Sequence, residues 1–117
     1  MPLVQVDKTK GVMKIEGRLI PESFESACRL LSSGLDFIED IQIPLTVNVN
    51  ICFFSKLGRR SMYEFLKSLN QKMYENGMEI SVHWYYDEDD EDMLDEGKNF
   101  EAETGLPFQF KNTALTD

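Results

Sequence analysis

The sequence predicts a small α/β domain, in which a single mixed sheet of about five strands carries three helices on one face. Segments with strand-like and helix-like hydrophobic periodicity follow one another in the order ββαβαβαβ. In four strands the apolar residues occupy only one side, whereas a sheet covered on both faces would show continuous apolar runs. The chain has 117 residues, which suffices for one domain with one modest core.

The N-terminal part predicts a pair of strands followed by a helix. Residues 3–7 and 11–17 read as strands, and Lys-Thr-Lys-Gly at 8–11 provides the turn between them. A helix is expected over residues 22–39, because its apolar residues recur at spacings of three and four. These residues are Phe24, Ala27, Cys28, Leu31, Leu35 and Ile38.

The middle of the chain predicts the central strand and the second helix. From Leu45 to Phe54 apolar and polar residues alternate, which places Phe53 on the apolar side. A helix follows near residues 57–75, and Asn76-Gly77 ends it. Its core stripe consists of Met62, Phe65, Leu66, Leu69 and Met73.

The C-terminal part predicts a strand over residues 79–86, a helix over about 89–103 that Gly105 ends, and a last strand from Pro107 to Lys111. Strands joined by helices are expected to run parallel. We expect one domain over residues 1–112 and a flexible C-terminal tail over 113–117. The inward-facing residues are Ile80, Val82, Trp84, Tyr86, Met93, Gly97, Phe100, Phe108 and Phe110.

The polar sides of the strands form a second predicted surface, opposite the helices. This open face is either simply solvated or a docking platform for another protein. Its residues are Lys14, Glu16, Thr46, Asn48, Asn50, Ser81, His83, Tyr85, Gln109 and Lys111. We expect His83 to be a polar surface residue, since no nucleophile is evident for it to activate.

Composition excludes several classes of function. The formal net charge of −9 argues against nucleic-acid binding and against docking on an anionic membrane, and it favours basic protein surfaces as partners. No apolar run is long enough for a membrane helix, and the N-terminus lacks the apolar region of a secretion signal, so a cytoplasmic protein is expected. Cys28 and Cys52 are expected to be buried thiols without a disulfide, and their spacing gives no support for a zinc site.

Six consecutive carboxylates, Asp87 to Asp92, follow directly on the strand that contains Trp84. They provide side-chain acceptors and negative charge for the start of the third helix. The calcium-loop pattern fails here, because its sixth position is Asp92 instead of glycine and its twelfth is Lys98 instead of glutamate. Helix capping, a loosely held magnesium ion and recognition of a basic partner remain as alternatives.

The segment Ser55 to Ser61 is locally basic in an acidic protein. Arg59 and Arg60 lie near a helix start, where each cation opposes the helix dipole by about 0.3–1 kcal/mol. Such a local cost can mark a functional site, and both helix N-termini and arginines hold phosphate well. The alternative is two exposed arginines without a special role.

Two motifs carry a family resemblance that covers about residues 10–110. Gly17-Arg-Leu-Ile-Pro-Glu-Ser23 resembles a G-R-x-x-P-E-N pattern ahead of the first helix. Val82 to Gly97, with Phe100 and Leu106-Pro107-Phe108, is similar to a W-Y-Y-[DE]-[DE]-D-D-E-D-M…G…F…[LF]-P-F signature. Both patterns belong to the SiaC family of bacterial regulatory phosphoproteins. The resemblance implies a STAS-like domain, akin to the antagonists of anti-sigma factors.

The resemblance also implies a partner switch without enzymatic activity. In the family a kinase phosphorylates the SiaC-type protein and a phosphatase restores it. The unphosphorylated form binds and promotes a diguanylate cyclase, which raises cyclic di-GMP and favours biofilm growth. No cofactor, metal or catalytic residue is implied, and a monomer or weak dimer is expected.

This chain departs from the family at the phosphorylated segment. The family has Asn-Thr-Ser-Ser and phosphorylates the threonine, whereas this chain has Ser55-Lys56-Leu57-Gly58. The threonine position falls on Lys56 or Leu57. Ser55 and Ser61 are the nearest hydroxyls, and Ser55 is preferred because it lies in the predicted loop. Either Ser55 replaces the threonine, or Lys56 keeps the protein permanently unphosphorylated, or the chain serves another partner.

We expect the site at two adjacent corners where strands of the sheet end, because sites of α/β sheets gather at the carboxyl ends of parallel strands. The predicted partner-binding residues are Phe54, Lys56, Leu57, Arg59, Arg60, Tyr85, Asp87, Glu88 and Asp89. The alternatives are a constitutive binding module, a phosphate-ligand-binding protein that uses the arginines and the acidic run, and a dimer through the open face.

Overall fold

The computed structural model describes residues 3–38 and 43–113 and confirms the predicted order of elements. The elements are β1 (Leu3–Asp7), β2 (Val12–Leu19), α1 (Phe24–Ile38), β3 (Leu45–Phe54), α2 (Lys56–Asn76), β4 (Ile80–Tyr86), α3 (Glu91–Thr104) and β5 (Phe108–Asn112). The predicted tail covers residues 113–117, of which residues 114–117 lie outside the described part of the chain. The side chains of Phe24, Leu35 and Ile38, whose predicted positions face inward, are likewise outside it.

The five strands form one mixed sheet in the order β1-β2-β3-β4-β5. β1 runs antiparallel to β2, and β2 to β5 run parallel to one another. Each parallel pair is joined by one helix, and the strand order advances in one direction only. Right-handed crossovers then place all three helices on the same face, as predicted.

The helix-covered face holds the core. Met13, Ile15, Val47, Val49 and Val82 are fully buried there. The residues of α2 predicted to face inward are also buried, apart from Met73, which is partly buried against the core. Tyr86, Phe108 and Phe110 are likewise only partly buried, because they lie near the sheet edge at β5.

An aromatic cluster fixes α3 on the sheet. The rings of Trp84 and Phe100 lie 5.5 Å apart, and Phe54 stacks on Trp84 at 5.9 Å. The indole Nε1 of Trp84 donates a hydrogen bond to the carbonyl of Met93 at 2.9 Å. Gly97 makes this approach possible, since a Cβ there would lie 2.5 Å from the indole ring. The position and tilt of α3 are therefore set by β4.

A β-bulge interrupts the pairing of β2 with β3. Gly17 pairs with Ile51 but Arg18 pairs with Phe53, so Cys52 is an extra residue on β3. Cys52 and Phe53 are therefore both exposed, and Phe54 is buried in place of Phe53. The predicted inward position of Phe53 is wrong, because strict alternation does not hold through a bulge. The predicted burial of Cys52 is also wrong, since Cys52 is exposed, as its place among the polar positions of the strand already requires.

The opposite face of the sheet carries the predicted polar residues. Strand pairing aligns Lys14, Asn48, His83 and Gln109 in one row across four strands. None of these four residues is fully buried, and Lys14 and Gln109 are exposed. The open face is therefore a feature of the fold.

Candidate functional site

The first predicted corner joins β3 to α2 at Ser55. Ser55 is the N-cap of α2, with extended backbone angles of φ −76° and ψ 172°. Its Oγ accepts a hydrogen bond from the Gly58 amide at 3.0 Å, which satisfies one of the free N–H groups of the helix start. Both its amide and its Oγ donate to the carbonyl of Leu19, at 3.1 and 3.4 Å. The corner is thus pinned to the end of β2.

The two serines predicted as phosphorylation sites lie in different environments. Ser55 is partly buried, and its Oγ borders the surface turn that begins α2. Ser61 is 1% exposed, and its hydroxyl donates to the carbonyl of Leu57 at 2.7 Å inside the helix. A kinase has to reach the hydroxyl it modifies, so this burial counts against Ser61.

The other residues predicted at this corner divide into surface and core. Lys56, Arg59 and Arg60 are exposed, and Leu57 is partly buried. Phe54 is only 7% exposed, because it packs against the aromatic cluster under α3. This burial counts against a direct contact between Phe54 and a partner.

An ion pair connects the first turn of α2 to α3. The Nε of Arg59 lies 2.8 Å from both carboxylate oxygens of Glu96. The two side chains are 49% and 24% exposed. Sequence reasoning missed Glu96, because nothing in the pattern of α3 distinguishes it from the neighbouring acidic residues. The pair offsets part of the unfavourable placement of a cation at a helix start.

The second corner joins β4 to α3 through the acidic run. The amide of Asp90 donates to the carbonyl of Asp87 at 2.9 Å, which closes a turn. Asp90 is the N-cap, and its Oδ1 accepts the Met93 amide at 3.0 Å. Asp87, Glu88 and Asp89 are exposed in the turn, and Tyr85 is partly buried on the open face. Helix capping by the acidic run is therefore confirmed, with the helix beginning at Glu91.

The acidic run does not assemble a metal site in the part of the chain that is described. No group of three His, Cys, Asp or Glu side chains there has the arrangement needed to hold a metal ion. The exposed carboxylates instead form an anionic turn beside the cationic start of α2. Both features lie at the carboxyl ends of neighbouring parallel strands, as predicted.

His83 lies on the open face, away from both corners. Partial burial disfavours its charged form, and the nearby Lys111 ammonium repels a second positive charge. Both effects lower the pKa of His83 below its ordinary value and so favour the neutral imidazole. This matches the expected polar surface residue.

No helix in residues 3–38 or 43–113 combines the length and apolar character needed to cross a membrane.

Comparison with known families gives a match over nearly the whole chain. The family described as SiaC family regulatory phosphoprotein matches residues 1–113. The chain is also similar to an uncharacterised protein of Pseudomonas aeruginosa strain UCBPP-PA14. The two are 24% identical over 108 residues, which is 92% of this chain and 85% of the relative.

Comparison with solved structures gives the same fold. One match is in the crystal structure of the diguanylate cyclase SiaD in complex with its activator SiaC from Pseudomonas aeruginosa. It has a TM-score of 0.81 and 22% identity, and it covers 96% of this chain and 92% of the matched chain. The crystal structure of apo-SiaC from the same organism matches with a TM-score of 0.76, over 94% of this chain and 89% of that chain, also at 22% identity. These likenesses establish a shared fold.

Proposed function

This chain belongs to the SiaC family of regulatory phosphoproteins, and we propose that it is a non-enzymatic cytoplasmic regulator that binds and promotes a diguanylate cyclase. The family description supports a regulatory role. The fold is shared with a structure whose description names SiaC as the activator of the diguanylate cyclase SiaD. A kinase and a phosphatase complete the proposed partner switch.

The observation that carries this proposal is the charge pattern of the two corners. The cations Lys56 and Arg59 begin α2, and the anions Asp87, Glu88 and Asp89 form the turn before α3. The two groups lie at the ends of adjacent strands. A surface with two opposite charges side by side fixes the orientation of a protein partner, since a misplaced partner brings like charges together. We call this surface the corner edge.

Phosphorylation of Ser55 is the proposed control of the corner edge. A phosphate at an N-cap faces the positive end of the helix dipole and lies within one turn of Lys56 and Arg59. It would add about −2 charges beside the cations that bind the partner. The partner that fits the unmodified surface would then be repelled.

A constitutive binder is the second candidate, and one observation favours it. Both nearby hydroxyls are already used inside the fold, Ser55 as the cap of α2 and Ser61 as a buried donor to Leu57. The position of the family's phosphorylated threonine falls on Lys56 or Leu57, and neither residue carries a hydroxyl. If this candidate is correct, phosphorylation does not change the charge of the corner edge.

Binding is tested by titrating the purified protein into a diguanylate cyclase encoded in the same genome, with calorimetric detection. Lys56→Glu is expected to weaken binding by about tenfold or more, because it inverts one charge of the corner edge. Lys67→Glu makes the same charge change on α2, about 16 Å further along the helix. It is expected to bind as the wild type does. Equal affinity of the wild type and Lys56→Glu would contradict the proposed surface.

Control is tested by mass spectrometry of the protein purified from its native host. A phosphate on the peptide that contains Ser55, absent in Ser55→Ala, would support the switch. Ser55→Glu is then expected to lose affinity for the cyclase, whereas Ser33→Glu, an exposed change on α1, is expected to retain it. If no phosphate is found and the cyclase still binds, the constitutive binder is the correct candidate.

A further inference from the structure

The β-bulge creates an exposed cluster on the open face, which we call the bulge patch and define as Arg18, Ile20, Cys52 and Phe53. Ile20 and Phe53 are each 47% exposed. Arg18 is the strand partner of Phe53. Without the bulge, Arg18 would pair with Cys52 and Phe53 would pair with the buried Leu19, so Phe53 would face the core, where burial of an aromatic ring is favourable. Bulges recur where a strand has to aim a side chain at a site.

Arg18 and Phe53 form a paired surface. The guanidinium carbon of Arg18 lies 5.5 Å from the centre of the Phe53 ring, within the range of a cation–π contact. A stacked guanidinium keeps the N–H groups at its edge available for a carboxylate, which it binds with two parallel hydrogen bonds. Arg18 forms no ion pair with any residue that the structure describes.

The charge around the bulge patch has the opposite sign to the protein as a whole. Across the five strands the open face carries three cations, Lys14, Arg18 and Lys111, and two carboxylates, Asp7 and Glu16. The whole chain has a net charge of −9. Most acidic residues thus lie on the helices and turns, and the open face of the sheet has a small excess of positive charge, which favours an acidic partner over a basic one.

We propose that the bulge patch is a second docking surface, which binds a partner segment that carries a carboxylate beside an apolar side chain. The carboxylate pairs with Arg18, and the apolar side chain packs on Phe53 and Ile20. Arginines and aromatic residues provide most of the energy at protein interfaces, and this patch supplies both in contact. The inference rests on the proposed function, because the partner is taken to be the same diguanylate cyclase.

The patch is tested in the same titration of the full-length protein with the cyclase of its genome. Arg18→Glu and Phe53→Ala are each expected to weaken binding by about tenfold or more. Two matched controls lie on helices. Arg29→Glu inverts an exposed arginine on α1, and Tyr74→Ala removes an aromatic side chain on α2 that is 86% exposed. Both controls are expected to bind as the wild type does, and thermal melting confirms that each variant folds.

A second measurement uses the wild-type protein and needs no variant. Cys52 lies in the patch and is exposed, whereas Cys28 is partly buried on α1. Saturation with the cyclase is expected to slow alkylation of Cys52 by iodoacetamide by about tenfold or more if the occupied patch excludes the reagent, and to leave the rate at Cys28 unchanged.

The outcomes separate the two proposals. If Lys56→Glu loses the cyclase while Arg18→Glu, Phe53→Ala and the alkylation of Cys52 match the wild type, the bulge patch is not an interface and the corner edge stands. If the wild-type protein fails to bind the cyclase, the proposed function falls and the patch inference falls with it. If sedimentation shows a dimer that Phe53→Ala dissociates, the occupant is a second copy and the partner assignment is overturned.

Discussion

The two helix starts at the corner edge use the same capping hydrogen bond but opposite charges. Ser55 begins α2 and Asp90 begins α3, and each side chain accepts the amide three residues ahead, at 3.0 Å. The first turn of α3 carries Glu91 and Asp92, which complement the helix dipole. The first turn of α2 contains no acidic residue and begins with Lys56. The start of α3 is therefore favourable in itself, and the start of α2 is not.

This difference suggests different roles for the charges at the two helix starts, helix stability in α3 and the proposed partner recognition in α2. The charges of α3 already stabilise its own N-terminus. The cations of α2 oppose the dipole of their own helix, and only Arg59 has a described ion-pair partner at this corner, Glu96 of α3. In the proposed function α3 supports the site, and α2 presents the cations that the partner binds.

The largest expected effect comes from the glycines that let each helix approach the sheet. Gly58→Ala would place a Cβ against the backbone carbonyl of Leu19, and Gly97→Ala would place one against the Trp84 ring. We expect losses of about 2–3 kcal/mol for Gly58→Ala and about 1–2 kcal/mol for Gly97→Ala, net of the helix propensity that alanine gains. Gly58→Ala is expected to cost more, because the backbone carbonyl of Leu19 has less freedom to move than the side chain of Trp84.

The measurement is the free energy of unfolding from urea titration. Gln71→Ala, an exposed change on α2, is the control, and its effect is expected to stay within about 0.5 kcal/mol. If Gly97→Ala costs more than Gly58→Ala, then α3 and not α2 is the helix more tightly confined by the sheet.

The sequence predicted the fold well because its signals are local. Alternation in β3 and β4 and the three- and four-residue spacing in α2 follow from the burial of one face, and the structure confirms them. The bulge escaped prediction because it depends on how β2 pairs with β3. Gly17 and Cys52 show no local pattern that distinguishes an extra residue from an ordinary strand position.

The site was predicted only as far as its position in the fold. Lys56, Arg59 and the acidic turn lie at the corner edge, because they follow directly on the carboxyl ends of parallel strands. The burial of Phe54 follows from the bulge, and the burial of Ser61 follows from how α2 is rotated on the sheet. The Arg59–Glu96 pair spans 37 positions in sequence, so only packing reveals it.

The next largest loss of stability is expected for the two N-cap residues, Ser55 and Asp90. Ser55→Ala and Asp90→Ala each remove one acceptor from a helix start and are expected to cost about 1 kcal/mol. Asp90→Ala also removes a negative charge from the helix N-terminus, so we expect its cost to be the larger of the two. Urea titration measures both. Ser23→Ala, which removes the hydroxyl that accepts the Ser26 amide ahead of α1, gives the reference for a cap far from the corner edge.

The caps should differ in function as well as in stability. If α3 is the support, Asp90→Ala lowers stability but leaves affinity for the cyclase within about twofold once the protein is folded. Loss of affinity in Asp90→Ala, with the protein still folded, would show that Asp90 itself contacts the partner and does more than cap α3.

The smallest expected effect concerns the ion pair that joins the two helix starts. A double-mutant cycle with Arg59→Gln and Glu96→Gln is expected to give a coupling energy of about 0.5–1 kcal/mol at low salt, since both side chains retain contact with solvent. Addition of salt to about 1 M is expected to reduce it, because the Debye length then falls to about 3 Å.

The control cycle is the pair Arg29 and Glu25 on α1. These side chains lie 3.6 Å apart and are 76% and 85% exposed, so a coupling of about 0.3 kcal/mol or less is expected. The Arg59–Glu96 pair should exceed this reference, because its geometry is closer and its carboxylate is better shielded. Equal coupling energies in the two cycles would mean that Glu96 of α3 does not stabilise Arg59 at the start of α2. The cost of a cation at that helix start would then not be offset by any contact with α3.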